Sequence, residues 1–200
     1  MAGIDVTRTL MAKTAFPPVR SVEQLLGQLQ QGFKPEYLMF WGHQPARDGR
    51  VTHSCFSQWF PTPFEVDGVS YASAEHFMMA GKARLFDDAQ TLERILVAAT
   101  PADAKQLGRQ VQGFDGAQWD AACFDIVVRG NLAKFSQHPA LAEFLLATGE
   151  QVLVEASPVD RIWGIGLAAE DKKASQPEKW RGLNLLGFAL MEVRSALLAG

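Results

Sequence analysis

The residues best suited to chemistry fall in three stretches. The first is YASAEHFMMAGK at 71–82. Ser73 suits a helix N-cap, which places Glu75 in the first turn. Glu75, Met79 and Lys82 follow at i, i+4 and i+7 and so share a helix face. A carboxylate held there could stabilise a developing positive charge or orient and deprotonate a water. A first-turn glutamate equally serves as a partner of the helix dipole. His76 stands without a catalytic partner nearby and reads as a hydrogen-bonded structural histidine.

The second stretch is EASPVDRIWGIG at 155–166. Catalytic groups favour loops set on rigid elements. Here Asp160 brings a carboxylate, Trp163 a flat face for a base, and Gly164 and Gly166 allow close approach to the backbone. A surface Asp160–Arg161 pair beside a core tryptophan fits the same pattern. The third is Lys105 and Arg109, four apart on one helix face and able to hold a phosphate, with Arg129 and Lys134 further on. A solvated basic face is the alternative.

Other chemistries lack their signatures. His43, His53, His76 and His138 are scattered, with no HExxH and no Cys/His cluster, so no metal is expected. Neither GxGxxG, GxxxxGK[ST] nor GxSxG occurs, which disfavours a dinucleotide-binding Rossmann domain and a nucleophile elbow.

The elements that must position these groups read as one compact domain. The chain has 200 residues, 48% hydrophobic and 20% charged, with a formal net charge of -3. That is enough apolar material for a sizeable core, and nothing in the balance calls for a nucleic-acid partner. Cys55 and Cys123 form no framework, which fits a reducing, cytoplasmic setting. No signal peptide and no bilayer-spanning run is read, so no membrane partner is expected.

Residues 1–35 read as an N-terminal extension, loose over 1–20, with a short helix over 21–31 capped by Ser21. Residues 36–200 read as the domain that carries these chemical groups. Strands are expected over 37–41 and 151–156, and a hairpin over 64–71 around Asp67-Gly68. Polar loops are expected over 42–53 and 171–181, and a glycine-bearing loop over 157–167. Helices are expected over 74–85, 92–98, from a Thr100 cap, over 119–135 and over 139–148. A final amphipathic helix over 183–198 carries Leu183, Leu186, Leu190, Val193 and Leu197 on one stripe.

The run FSQWFPTPFEVDGVSYASAEHFMMAGKARLFDD resembles the opening signature of the NADAR family. The resemblance continues through AKQLGRQV, WDAACFDIVVRGNLAKF, LLATGEQVLVEASPVDRIWGIGL and RGLNLLGFALMEVR, over roughly 38–198. It implies an α+β, mostly helical single domain with a small β component. It also implies hydrolysis of N-glycosidic bonds in ribosides, without a cofactor or metal. Family substrates include phosphorylated ribosylamino-pyrimidine intermediates of riboflavin synthesis and ADP-ribose attached to guanine in nucleic acid.

By the resemblance, Glu75 matches the acidic residue of the [ST]-x-E-H signature, Trp163 the loop tryptophan and Asp160 the aspartate before it. Glu75 and Asp160 are then the expected catalytic residues. Trp163, Lys82, Lys105, Arg109, Lys134, Gly164 and Asn184 are the expected substrate contacts. Two departures stand out. Some riboflavin-pathway members carry Trp-Gly-Asp-Gly where this chain has Ile165, and Cys123 stands where arginine is common.

The expected partner is a riboside phosphate or an ADP-ribosyl substrate, with ADP-ribosylated nucleic acid as a further candidate. The net charge favours a small molecule. The rival reading is a non-catalytic ADP-ribose or nucleotide-binding module.

Overall fold

The computed structural model describes residues 17–200; the expectation of a loose segment before residue 17 lies outside them. The described residues fold as seven helices and two small two-stranded sheets, mixed α+β and mostly helical, as expected. None of these helices is long and apolar enough to cross a membrane.

Caps read from the sequence start helices where they were expected. Ser21 accepts from Gln24 N–H at the start of α1 (Val22–Gln30). Ser73 caps α2 (Ala74–Leu85), and Thr100 accepts from Asp103 N–H to open α4 (Pro101–Gly108). Two caps lie earlier than the apolar pattern suggested. Asp88 accepts from Thr91 N–H and starts α3 at Ala89–Leu96, while Asp115 starts α5 at Gly116–Gln137. Both helices open with small and polar residues that an apolar stripe does not register. α6 spans Pro139–Leu146.

The final helix, α7 (Leu185–Ala199), begins two residues late. Asn184 takes a left-handed backbone, φ 53°, ψ 32°, which breaks the helix ahead of it. Leu183 is therefore left outside the stripe, at 52% exposure. Leu186, Leu190 and Val193 are buried as expected.

β2 (Phe64–Val66) and β3 (Val69–Tyr71) form the Asp67-Gly68 hairpin, with both turn residues at positive φ. β1 (Tyr37–Phe40) and β4 (Val152–Glu155) pair in parallel, Tyr37 opposite Val152 and Phe40 opposite Glu155. Val152, Leu153 and Val154 are fully buried, because α7 lies on this pair. α2 is the hub, packing against α3, α4 and α5, while α5 in turn packs on α7. Val19 and Leu25 join the same core, so the chain from residue 17 onward is part of the packed body.

Candidate active site

A cleft opens beyond the carboxyl ends of β1 and β4, the end of a parallel pair where α/β proteins bind ligands. Its outer part, about 440 Å³, is lined by Trp41, His43, Trp59, Lys105, Arg109 and Asp160, among others. A recess of about 60 Å³ leads inward past Gln58, Glu75, Met78, Glu155 and Trp163 to Leu186. Other cavities border Pro17–Pro18, the turn after α1 and α3; they too bring carboxylates near cations, but none of those carboxylates is buried as Glu75 is.

Three loops and two helices build the walls. A 3-10 turn over His53–Phe56 delivers Gln58 and Trp59. The carbonyl of Gln58 accepts from Glu75 N–H at 2.9 Å, tying this loop to the first turn of α2. α4 crosses α2 closely: a Cβ on Gly108 would lie 2.1 Å from Met79 Sδ. The bare Gly108 leaves room for the Met79 side chain against α4, and this crossing brings Lys105 and Arg109 over the cleft.

The loop after β4 folds back onto its own strand. Asp160 Oδ1 accepts from the N–H groups of Ile162 and Trp163, each at 2.8 Å, and Ile165 N–H donates to Glu155 O at 2.9 Å. This Asx arrangement holds Trp163, half-buried, as one wall.

Glu75 is 2% exposed and its Oε1 has no partner. Burial pushes its carboxyl up to about 7, aided by the charge of Asp160. Lys105, a hydrogen bond from the Trp59 indole and Arg109 oppose that rise. The dipole at the helix start had suggested a carboxylate that ionises readily. Burial outweighs the dipole because the side chain points inward rather than into water.

A second carboxylate, partly buried, was not singled out from the sequence. Glu155 ends β4, lines both parts of the cleft, and keeps a sealed, unpartnered Oε2. Burial and the charges of Asp160 and Glu75 push it up to about 8, against the pull of Lys105. The available signal was its place as the last residue of a buried strand feeding a loop. Trp59, His43 and Trp41 also went unmarked, and the His43 and Trp59 rings sit 5.5 Å apart at the mouth.

Of the residues expected from the sequence, the cleft gathers Glu75, Asp160, Trp163, Lys105 and Arg109. Four others lie elsewhere. Lys82 shares a helix face with Glu75 but sits almost two turns on, its ammonium 4.1 Å from the Phe114 ring centre. Lys134 is fully buried and donates to the carbonyls of Cys55 (2.6 Å) and Ser57 (3.0 Å), so it pins the 3-10 turn and meets no phosphate.

Asn184 is also fully buried, bonded to the backbone of Glu155 and Leu153. Gly164 is bare because a Cβ there would press to 2.8 Å from Glu155 O, so its role is loop packing. Ile165 is fully buried, and Cys123 lies buried on α5, its Sγ 3.8 Å from Asp120 O, away from the cleft. His76 is held by Ser73 Oγ and Ala98 O, as a structural histidine should be. Among the described residues no cluster of three or more His, Cys, Asp or Glu could hold a metal.

The comparisons with known proteins agree with this architecture. The chain is 44% identical over 164 residues to N-glycosidase R617 of Acanthamoeba polyphaga mimivirus, covering 80% of this chain and 95% of that protein. It is 36% identical over 145 residues to N-glycosidase Npun_R5314 of Nostoc punctiforme, covering 72% and 86%. The solution structure of the Escherichia coli protein YbiA superposes with a TM-score of 0.66 at 27% identity, covering 84% of this chain and 88% of that one. The NADAR domain matches residues 39–198, and the chain belongs to that family.

Proposed function

We propose that this protein is an N-glycosidase that hydrolyses the C1′–N bond of a phosphorylated or ADP-ribosyl riboside, releasing a free base or amine. The observation that carries the reading is Glu75: a buried carboxylate with an unpartnered oxygen, at the inner end of a cleft that also holds two cations and an aromatic wall. Relatives that share most of this chain's length carry the name N-glycosidase.

Breaking a riboside C–N bond builds positive charge at C1′ and the ring oxygen. An ionised Glu75 beside that carbon stabilises the charge and accepts a proton from the attacking water. Trp163 forms the wall on which the base or ribose rests. Asp160 shapes the loop with Oδ1 and adds negative charge to the recess. Lys105 and Arg109, at the mouth, take the phosphate. Lys105 also lines the recess, where its charge favours the ionised form of Glu75. We read the setting as cytoplasmic, since Cys55 and Cys123 are both free and buried.

The test is a product assay. The protein is incubated with a ribosylamino-pyrimidine 5′-phosphate, with ADP-ribosylated guanosine and with an ADP-ribosylated oligonucleotide, and free base or amine is measured. Release from the first two supports a small-molecule enzyme, and release from the oligonucleotide alone moves the substrate to nucleic acid. Tight binding of ADP-ribose without release from any probe would make the protein a binding module.

A further inference from the structure

We infer that Glu155 is the general acid of this site, giving its proton to the nitrogen that leaves C1′ while Glu75 serves the water. The inference rests on the glycosidase reading and assigns the second half of its chemistry. An amine or base departs poorly as an anion, so a proton must reach it as the bond breaks. The donor must be near the reacting carbon, shielded from water and protonated at working pH.

Glu155 meets these conditions by position. It stands at the end of β4 where the recess meets the outer cleft, and lines both. Its Oε2 is sealed from solvent and bonded to nothing in the protein. The strand end itself is fixed, since Glu155 N–H donates to Asn184 Oδ1 and Glu155 O accepts from Ile165 N–H, both at 2.9 Å. The carboxyl therefore enters the cleft on a rigid base, with a free oxygen for a ligand.

The surroundings separate the two glutamates. The charged or titratable groups lining the cleft around them are Asp160, Lys105, Arg109 and His43. Lys105 and Arg109 both favour the ionised form of Glu75, and the Trp59 indole adds a hydrogen bond to it. Glu155 has only Lys105 in its favour and is opposed by both Asp160 and Glu75. Burial raises both carboxyls, and the surrounding cations and indole oppose that rise more fully at Glu75, which favours Glu75 as the base and Glu155 as the acid.

The step balances. The C1′–N bond breaks and its electron pair stays on nitrogen, which takes the Glu155 proton and leaves as a neutral amine or base. Water adds to C1′ and loses a proton to Glu75, which gives the ribose hemiacetal. Glu155 ends ionised and Glu75 protonated, and exchange with solvent restores both.

The experiment compares wild type with Glu155→Gln on the probe that wild type cleaves, a ribosylamino-pyrimidine 5′-phosphate or ADP-ribosylated guanosine, across pH 5 to 10. Wild-type kcat/KM should fall as pH rises through about 8, where Glu155 of the free enzyme loses its proton. In Glu155→Gln turnover should drop by about two orders of magnitude with KM little changed, and that falling limb should vanish. A second readout needs no turnover. In protein labelled with ¹³C at glutamate carboxyls, the resonance missing from Glu155→Gln should titrate well above the ordinary glutamate range.

A Glu155→Gln enzyme with wild-type turnover, or with the falling limb intact, overturns the assignment. So does a Glu155 carboxyl that titrates below pH 6. A wild type inactive on every probe sinks the glycosidase reading itself, which is a different result from an active wild type that ignores Glu155.

Discussion

Asn184 and Glu155 are joined side chain to backbone. Asn184 Oδ1 accepts the Glu155 N–H at 2.9 Å, while its Nδ2 donates to Leu153 O at the same distance. The residue that begins α7 thus pairs with the edge of β4 that faces no strand, doing for that edge what a further strand would do. Its left-handed backbone, tolerated better by asparagine than by most residues, aims the amide there. Asn184→Ala would strand two buried backbone groups at about 1–3 kcal/mol each. A fall in unfolding free energy of roughly 3 kcal/mol, read by urea titration, is expected. A substrate contact would instead raise KM and leave the unfolding midpoint alone.

Glu75→Gln should separate activity from stability. Turnover is expected to fall by about two orders of magnitude with KM nearly constant, because the lost charge matters most in the transition state. Stability should move the other way, and only at higher pH. The folded Glu75 carboxyl titrates near 7, above its unfolded value of about 4.3, so the folded state retains a proton that the unfolded chain releases. Wild-type stability therefore declines between about pH 4 and 7, by about 3 kcal/mol from this group. Glu75→Gln should match wild type near pH 4 and exceed it at pH 8. Thermal melts at the two pH values decide, and equal differences at both would refute the linkage.

Asp160→Asn isolates the charge of Asp160 from its structural work. Asparagine keeps an Oδ1 able to accept from Ile162 and Trp163 N–H, so the loop should hold. Removing a like charge favours ionisation of Glu155. The high-pH limb of kcat/KM should then shift to lower pH. An unmoved limb would show that Asp160 acts on the loop alone.

Two lysines that look alike in sequence should behave oppositely. Lys105→Ala should raise KM for a phosphorylated riboside more than for its dephosphorylated form, since Lys105 stands in the cleft. Lys134→Met should leave that ratio unchanged and destabilise the fold by roughly 2–4 kcal/mol, through the orphaned carbonyls of Cys55 and Ser57. Paired steady-state assays and urea midpoints distinguish the two outcomes.

Local chemistry made much of this legible. Ser21, Ser73 and Thr100 are short-range signals read within four residues, and each caps the helix expected of it. Asp67-Gly68 gave its hairpin for the same reason. What escaped is non-local. Nothing near Lys134 in the chain says that it meets carbonyls 77 and 79 residues away, and helical spacing alone could not tell that Lys82 faces Phe114.

Glu155 was hidden because its significance depends on β4 pairing with β1, which no sequence period encodes. Ile165 makes the same point from the other side. It is fully buried, where a carboxylate would need hydrogen-bonding partners of its own, and the place of the missing aspartate is filled by core.

The pairing of β1 with β4 also sets an order of events in folding. Tyr37 and Val152 lie about 115 residues apart, so their contact closes one of the longest loops in the chain. Helices with their own caps form in microseconds, whereas such distant pairing must wait until most of the chain is in place. The floor of the cleft is thus among the last parts to assemble. During refolding, helical signal should return before turnover, and a partly folded protein would look well structured by circular dichroism while remaining inert.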